Sequence, residues 1–495
     1  TSVTGEGLMR YLTWFTRPTV PVTYANGYYG CVDGNSNIGA SVFKNPIEDL
    51  NYGRKTNQHH RFDGKVFAEV DIIKGLTFRS SLAYKYYNNE VSTYSPRSAA
   101  KYNAEGEILN PAGTQNTLAD YSWIEKSYIN ENILTYNNKW GEHNLSVLVG
   151  HSIQENRWDM TNISKQGFPT DNIYEMDGGS QNDQVSGSAE ETRLQSFFGR
   201  INYNYGDRYM AEFNIRRDGS SRLPSSNRYA TFPSFSAAWI ISNEAFMQNI
   251  KWLSSLKLRG SWGKLGNQEI GNYAYTETLS AQGSYFFGDN KYIGMKTSKI
   301  ANGNIKWETT TITDFGFDAS FWGGRISVVF DWYNKETSDI LLQLPMPSIF
   351  LGSLAAPYQN AGKVRNRGWE LAGNYQDRQG DWQWQAGFSL AGVSNKIIDM
   401  NGQESISGST INREGYAIGS YYALKAIGLY RTEDDLKRTN SEGKIITQNG
   451  QAPVLGDIMY EDFNDDGNIN DEDRQIIGNP FPKLQYSFTL GASWK

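Results

Sequence analysis

The chain has 495 residues, 47 Lys and Arg against 53 Asp and Glu, a formal charge of −6 and one cysteine, Cys31. No basic footprint is available to displace counterions from nucleic-acid phosphates, and one thiol builds neither a disulfide framework nor a cysteine metal cluster. Aromatic residues make up 14 % of the chain, too many for a disordered segment, and no run of about 18 apolar residues offers a helical membrane span.

The mean hydropathy of −0.59 suggests a water-soluble protein. That average hides strands with one apolar and one polar face, because the two cancel in any window. Thr1 to Arg10 has neither an initiating Met nor a charged-then-apolar leader, so no signal peptide is read there. Further on, a two-residue repeat dominates. Leu76, Phe78, Leu82, Tyr84 and Tyr86 share one side of a strand, with Thr77, Arg79, Ser81 and Lys85 on the other. Tyr209, Ala211, Phe213 and Ile215 alternate with Met210, Glu212, Asn214 and Arg216. The same rhythm runs through Phe315 to Phe321, Trp382 to Leu390 and Leu484 to Trp494.

Connections alternate in length. Tight turns at Lys74-Gly75, Gly141-Glu142, Gly206-Asp207, Gly323-Gly324 and Gly380-Asp381 each join two alternating segments as a hairpin. Between hairpins lie long polar stretches: Thr93 to Asp120, Thr161 to Ala189, Leu265 to Asn304, Leu342 to Lys363 and Asp399 to Pro482. Ser242 to Ser255 breaks the two-residue rhythm, opens on a Ser/Asn cap and predicts a short helix at the short-turn end. The pattern amounts to about thirteen strands in an up-and-down meander.

A soluble sandwich also turns one face inward, so alternation alone does not choose a fold. Strands such as Ser196 to Tyr205 and Leu76 to Asn88 reach the roughly 9–11 residues a tilted strand needs to cross a bilayer. Tyr203, Tyr205 and Tyr209 crowd one turn, and Phe321 and Trp322 another, as an interfacial girdle requires. Arg79, Lys85, Arg200, Glu212, Lys257, Arg259 and Asp318 place charge in mid-strand on the polar side, which a wet lumen tolerates and a packed core does not. The expected fold is all-β: part of an antiparallel up-and-down transmembrane β-barrel with short periplasmic turns and long extracellular loops. Residues 1–58 are expected as an extracellular loop region, 59–398 as the barrel meander, 399–482 as a long extracellular segment and 483–495 as a further barrel strand.

Candidate sites are few. No GxxxxGK[ST], HExxH or GxSxG motif occurs, so no enzymatic activity is expected. His59 and His60 are expected just before the first strand and His143 after a turn; with His151 they lack the helical spacing of a zinc pair. Asp462, Asn464 and Asp466, then Gly467, the Asn468 carbonyl and Asp473 match a loop of about 12 residues that encloses Ca²⁺. The competing reading is an Asn/Asp/Gly turn held by its own side-chain to backbone hydrogen bonds. The sequence leaves both open. Tyr285, Phe286, Phe287, Tyr292, Tyr421 and Tyr422 offer flat apolar faces to sugar rings, or else pack the loops together.

Four ordered blocks carry a family resemblance: Arg216 to Phe246, Leu256 to Tyr275, Asn360 to Leu371 and Glu461 to Gly491. Over most of the chain from about Asn45 to Lys495 it resembles the barrel of SusC/RagA-like TonB-dependent transporters of Bacteroidetes outer membranes. The resemblance implies TonB-driven import of an oligomeric nutrient, a glycan or in some members a peptide, captured under a SusD-like surface lipoprotein. It implies outer-membrane lipid around the barrel and a plug domain bearing the TonB contact. Neither plug nor TonB box is seen in the sequence, so it reads as an internal barrel fragment. The alternatives are a TonB-dependent siderophore or cobalamin receptor, or a secreted β-rich binding module.

Overall fold

A computed structural model of the chain describes residues 21–25, 27–29, 54–97, 101–102, 107–110, 115–344, 349, 352, 354–377 and 380–494. Thr1 to Arg10, Cys31 and most of the 1–58 region lie outside them. The alternating segments become β1 (Arg54–Ile73), β2 (Leu76–Ser95), β3 (Thr117–Trp140), β4 (His143–Gln166), β5 (Gln181–Tyr205), β6 (Tyr209–Ser220) and β7 (Tyr229–Ile240). They continue as β8 (Leu253–Asn267), β9 (Glu308–Phe321), β10 (Ile326–Ser338), β11 (Lys363–Asp377), β12 (Trp382–Asp399) and β13 (Gln485–Trp494). All belong to one 13-stranded sheet in chain order, with β1 and β13 as its end strands. From β5 to β13 every neighbouring pair is antiparallel. This is the meander of a transmembrane β-barrel wall.

The chain divides into two compact units. The first takes Thr1–Ala68, Ser80–Glu131 and Ile153–Arg193, the second Glu69–Arg79, Asn132–Ser152 and Leu194–Lys495.

In the second unit the register assigns the faces. Phe213 lies opposite Phe235, which lies opposite Trp262. Phe315 lies opposite Trp332, which lies opposite Trp369, and Phe388 lies opposite Phe488. These side chains stay bare: Phe213 is 42 % exposed, Phe315 57 % and Phe488 70 %. A sandwich would bury that face and gain about 1.5–3 kcal/mol per large apolar side chain, so a bare apolar face in one layer fits lipid, not a dry interior. Apolar burial concentrates instead where the strands meet the long connections. Leu223, Phe232, Ile270, Ala274, Ile305 and Trp307 form one cluster, and Val364, Ile397 and Met400 another.

Tight turns close the opposite end. Gly206 and Asp207 both adopt positive φ (57° and 48°), and Arg208 N donates to the Tyr205 carbonyl at 3.0 Å to close the turn. Aromatic rings gather beside these turns: Tyr205 stacks with Tyr209, Tyr209 with Trp239, and Trp252 with Phe321.

Three expectations need correction. His59 and His60 lie within β1, because polar residues extend that strand before its apolar rhythm begins. The helix expected over Ser242 to Ser255 is replaced by two 3-10 turns, Ile241–Asn243 and Ala245–Met247, with β8 already under way at Leu253. No side chain caps either turn; Glu244 instead accepts from Trp239 Nε1 at 3.0 Å, which ties the segment to β7. The long connections also contain more strand than expected. β4 and β5 run into the Thr161 to Ala189 stretch, and Leu265 to Asn304 holds the hairpin Thr278–Phe287 with Asn290–Lys299.

Candidate functional site

The side of the second unit opposite the apolar belt is polar and charged. Its strands bring together side chains that sequence spacing alone leaves apart. On β8, Arg259 Nη2 donates to Asp331 Oδ2 of β10 at 2.7 Å, and Nη1 donates to Oδ1 of the same carboxylate. Its Nε donates to Asp318 at 3.3 Å, and Asp314 lies 3.6 Å away. Lys257 adds a second cation 3.9 Å from Asp318. Neighbouring strands continue the polar wall. Glu212 accepts from Asn202 at 3.0 Å and Asn214 at 2.8 Å, while Arg216 donates to Asp218 and to Ser196, both at 2.8 Å. Mid-strand Lys257, Arg259 and Asp318 were legible as polar-face charges. Asp331, the main partner of Arg259, was missed; complementary charge on a later alternating strand was its signal.

The first unit has similar ladders and one buried pin. Lys85 pairs with Glu125 at 2.9 Å, and Tyr87 Oη lies 2.8 Å from His59 Nδ1. At the far ends of the strands Asn116 is fully buried. Its Oδ1 accepts from Phe168 N at 2.7 Å, and its Nδ2 donates to Asp171 Oδ1 at 2.9 Å. Tyr94 Oη donates to the same oxygen at 2.8 Å. The Asn116 amide, then the Tyr94 hydroxyl and Arg97, hold the Asp171 carboxyl below the usual carboxylate range against some opposing desolvation. Nothing in the spacing of these residues pointed to this pin.

Structure brings Asp462, Asn464, Asp466, Asn468 and Asp473 into one loop. Gly467 N donates to Asp462 Oδ2 at 2.9 Å, Asp466 N to Asn464 Oδ1 at 3.1 Å and Asn468 N to Asp466 Oδ1 at 2.7 Å. Asp473 is fully buried and caps the turn Asp471–Asp473: its Oδ1 accepts from Phe463 N at 2.8 Å and its Oδ2 from Asn470 N at 2.8 Å. Asp462 Oδ1 is buried with no hydrogen-bond partner, an atom that a cation would satisfy. Among the described residues no three His, Cys, Asp or Glu side chains converge where a metal ion could sit. A cation here would therefore rely on amide and backbone oxygens beside the carboxylates.

Of the loop aromatics, Tyr285, Phe286, Phe287 and Tyr292 lie exposed on the Thr278–Lys299 hairpin, where Phe287 touches Tyr285 and Tyr292. Tyr421 is exposed, and the Arg413 guanidinium lies over the Tyr422 ring at 5.7 Å.

An apolar belt on one side of a single meandering sheet and a charged wall on the other define a membrane β-barrel protein. The chain belongs to the family described as "TonB dependent receptor-like, beta-barrel", which matches residues 2–495, and within it the chain is SusC/RagA-like. It is 31 % identical to the TonB-dependent receptor P3 of Formosa agariphila over 87 % of this chain and 42 % of that protein. With the TonB-dependent receptor SusC of Bacteroides thetaiotaomicron it shares 31 % identity over 62 % of this chain and 31 % of SusC. A solved structure of the RagAB peptide transporter superimposes with a TM-score of 0.77 at 26 % identity, covering 95 % of this chain and 49 % of that one. The chain thus spans about half or less of the length of the relatives it matches.

Proposed function

We propose that this chain is the wall of an outer-membrane importer that takes up an oligomeric nutrient, a glycan before a peptide. A SusD-like surface lipoprotein captures the cargo, and TonB, acting through a plug domain, opens the path. Cargo is bound and translocated with no bond made or broken. In this reading the long connections, including 1–58 and 399–482, face the cell exterior. The observation that carries the proposal is the sheet's two-sidedness: bare Phe315 and Trp332 on one side, Arg259 with its three aspartates on the other. Such a wall separates lipid from a water-filled passage. The glycan preference follows what the family resemblance of the four sequence blocks implies; the RagAB neighbour, a peptide transporter, supports the peptide alternative.

Growth of a gene-deletion strain on single glycans, on peptides and under iron limitation tests this directly. Loss on one glycan class alone supports the proposal. Loss on peptides alone reassigns the cargo, and loss under iron limitation alone favours a siderophore receptor. A full-length protein that extracts without detergent overturns the membrane importer altogether.

A second reading concerns the Asp462 loop, which we propose closes on Ca²⁺ through Asp462, Asn464, Asp466, the Asn468 carbonyl and Asp473. The orphaned Asp462 Oδ1 supports it. Ca²⁺ should slow proteolysis within 462–473 of the full-length protein, and Asp462→Asn should remove the effect. Equal cleavage in Ca²⁺ and in chelator leaves the loop as a turn that holds itself.

A further inference from the structure

Basic side chains gather on the outward face of β10 to β12, one step beyond the apolar belt. Trp332 lies opposite Trp369; two residues on, Asn334 lies opposite Arg367; two more on, Glu336 lies opposite Arg365. On the other flank of β11, Arg365 lies opposite Lys396. Two residues of strand span about 7 Å, so Arg367 and then Arg365 stand where an aromatic girdle gives way to lipid head groups.

The patch is not electrically balanced by the protein. Glu336 accepts from Lys363 Nζ at 2.7 Å, and the Arg367 Nε donates to the neutral Asn334 at 2.8 Å. Four basic groups, Lys363, Arg365, Arg367 and Lys396, therefore face two carboxylates, Glu336 and the Asp399 that lies opposite Lys363. Arg365 and Lys396, moreover, are direct cross-strand partners on the same face, and like charges so placed destabilise a sheet unless an anion lies between them. Arg217 on β6 and Lys264 on β8 occupy the same step, two residues beyond the outward Ile215 and Trp262. On the inward faces the bases are matched by acids: Arg259 and Lys257 stand beside Asp314, Asp318 and Asp331. Basic charge on the lipid side is thus a local feature of a chain whose formal charge is −6.

We propose that this patch binds phosphate-bearing head groups of the lipids that surround the belt. The guanidinium forks of Arg365 and Arg367 suit two oxygens of one phosphate, and Lys396 adds a point charge. The proposal rests on the bilayer position of the belt and is independent of what the protein imports.

Native mass spectrometry of the full-length protein in neutral detergent tests it, with phosphatidic acid, phosphatidylcholine or inorganic phosphate added. The wild type should retain phosphatidic acid about tenfold or more over phosphatidylcholine. Replacing Arg365, Arg367 and Lys396 together by Gln should abolish the preference, while the same replacement of Lys74, Lys139 and Lys251 at the short-turn end should keep it. Heat-modifiable gel mobility checks that each variant folds, and Lys396→Gln alone serves if the triple variant does not. Equal retention of the two lipids overturns the proposal, as does a preference that survives the patch variants. Displacement of the lipid by inorganic phosphate at equal concentration overturns the lipid assignment in favour of a free-phosphate site.

Discussion

Arg259 reaches across an intervening strand to Asp331, and Gly316 is the residue it crosses. Gly316 lies opposite Arg259 on one side and Asp331 on the other. A Cβ there would stand 2.6 Å from Asp331 Oδ1 and from the Phe330 carbonyl, and 3.0 Å from Arg259 Cζ. The guanidinium can lie over the sheet only because that backbone is bare.

Gly316→Ala should therefore destabilise the barrel by about 1–3 kcal/mol, the usual cost of forcing a group into a filled space. Part of that cost should vanish when Asp331→Ala is already present, since the two changes share one contact. Urea unfolding of the full-length protein in lipid measures both. Strict additivity would mean that the clash is with the Phe330 carbonyl alone.

Neighbouring residues on β11 test the two faces. Leu371 lies between Phe330 and Leu390 on the apolar side, while Ala372 lies between Val329 and Ser389 on the other. Leu371→Arg should cost about 2–4 kcal/mol, as a lipid-facing arginine near the bilayer midplane does. Ala372→Arg should stay within about 0.5 kcal/mol. Similar costs for the two, again by unfolding in lipid, would remove the lipid–water distinction on which the fold assignment rests.

That contrast also explains how far the sequence was legible. Trp382, Trp384, Ala386, Phe388 and Leu390 alternate because lipid on one side and water on the other impose a two-residue period, and β12 forms there. Where both sides are wet the period disappears. Residues Gln181 to Glu190 are strand with no apolar rhythm, so they read as loop. Arg259 could be read as a polar-face charge, but its partner lies 72 residues away and only the register of β8 to β10 brings them together. The Asp462 loop was legible as a spacing because its hydrogen bonds are local.

The turn after β7 makes a further test, since it was expected as helix and is tied down by Glu244 and by Asn243, whose Nδ2 donates to the Asp207 carbonyl at 2.8 Å. Glu244 is buried, accepts from Trp239 Nε1 at 3.0 Å and lies 3.5 Å from Arg208. Glu244→Ala should free the Ile241–Met247 segment and speed its cleavage several-fold in limited proteolysis, while Glu244→Gln should retain most of the protection. Equal cleavage of all three proteins would show that Glu244 does not hold the turn.

The Asn116 pin should respond to acid. Asp171 has its folded pKa depressed below the unfolded value of about 3.9, chiefly by the Asn116 hydrogen bond. Its stabilising contribution is therefore complete above that value and is lost as pH falls through the lower, folded pKa. Amide hydrogen exchange at Phe168 and its neighbours should stay slow, after correction for intrinsic rates, from neutral pH to about 4 and accelerate below it. Asp171→Asn should remove the pH step. Asn116→Ala should accelerate exchange at every pH, because the buried Phe168 N–H loses its acceptor at a cost of about 1–3 kcal/mol. A step that persists in Asp171→Asn would place the titrating group elsewhere in the first unit.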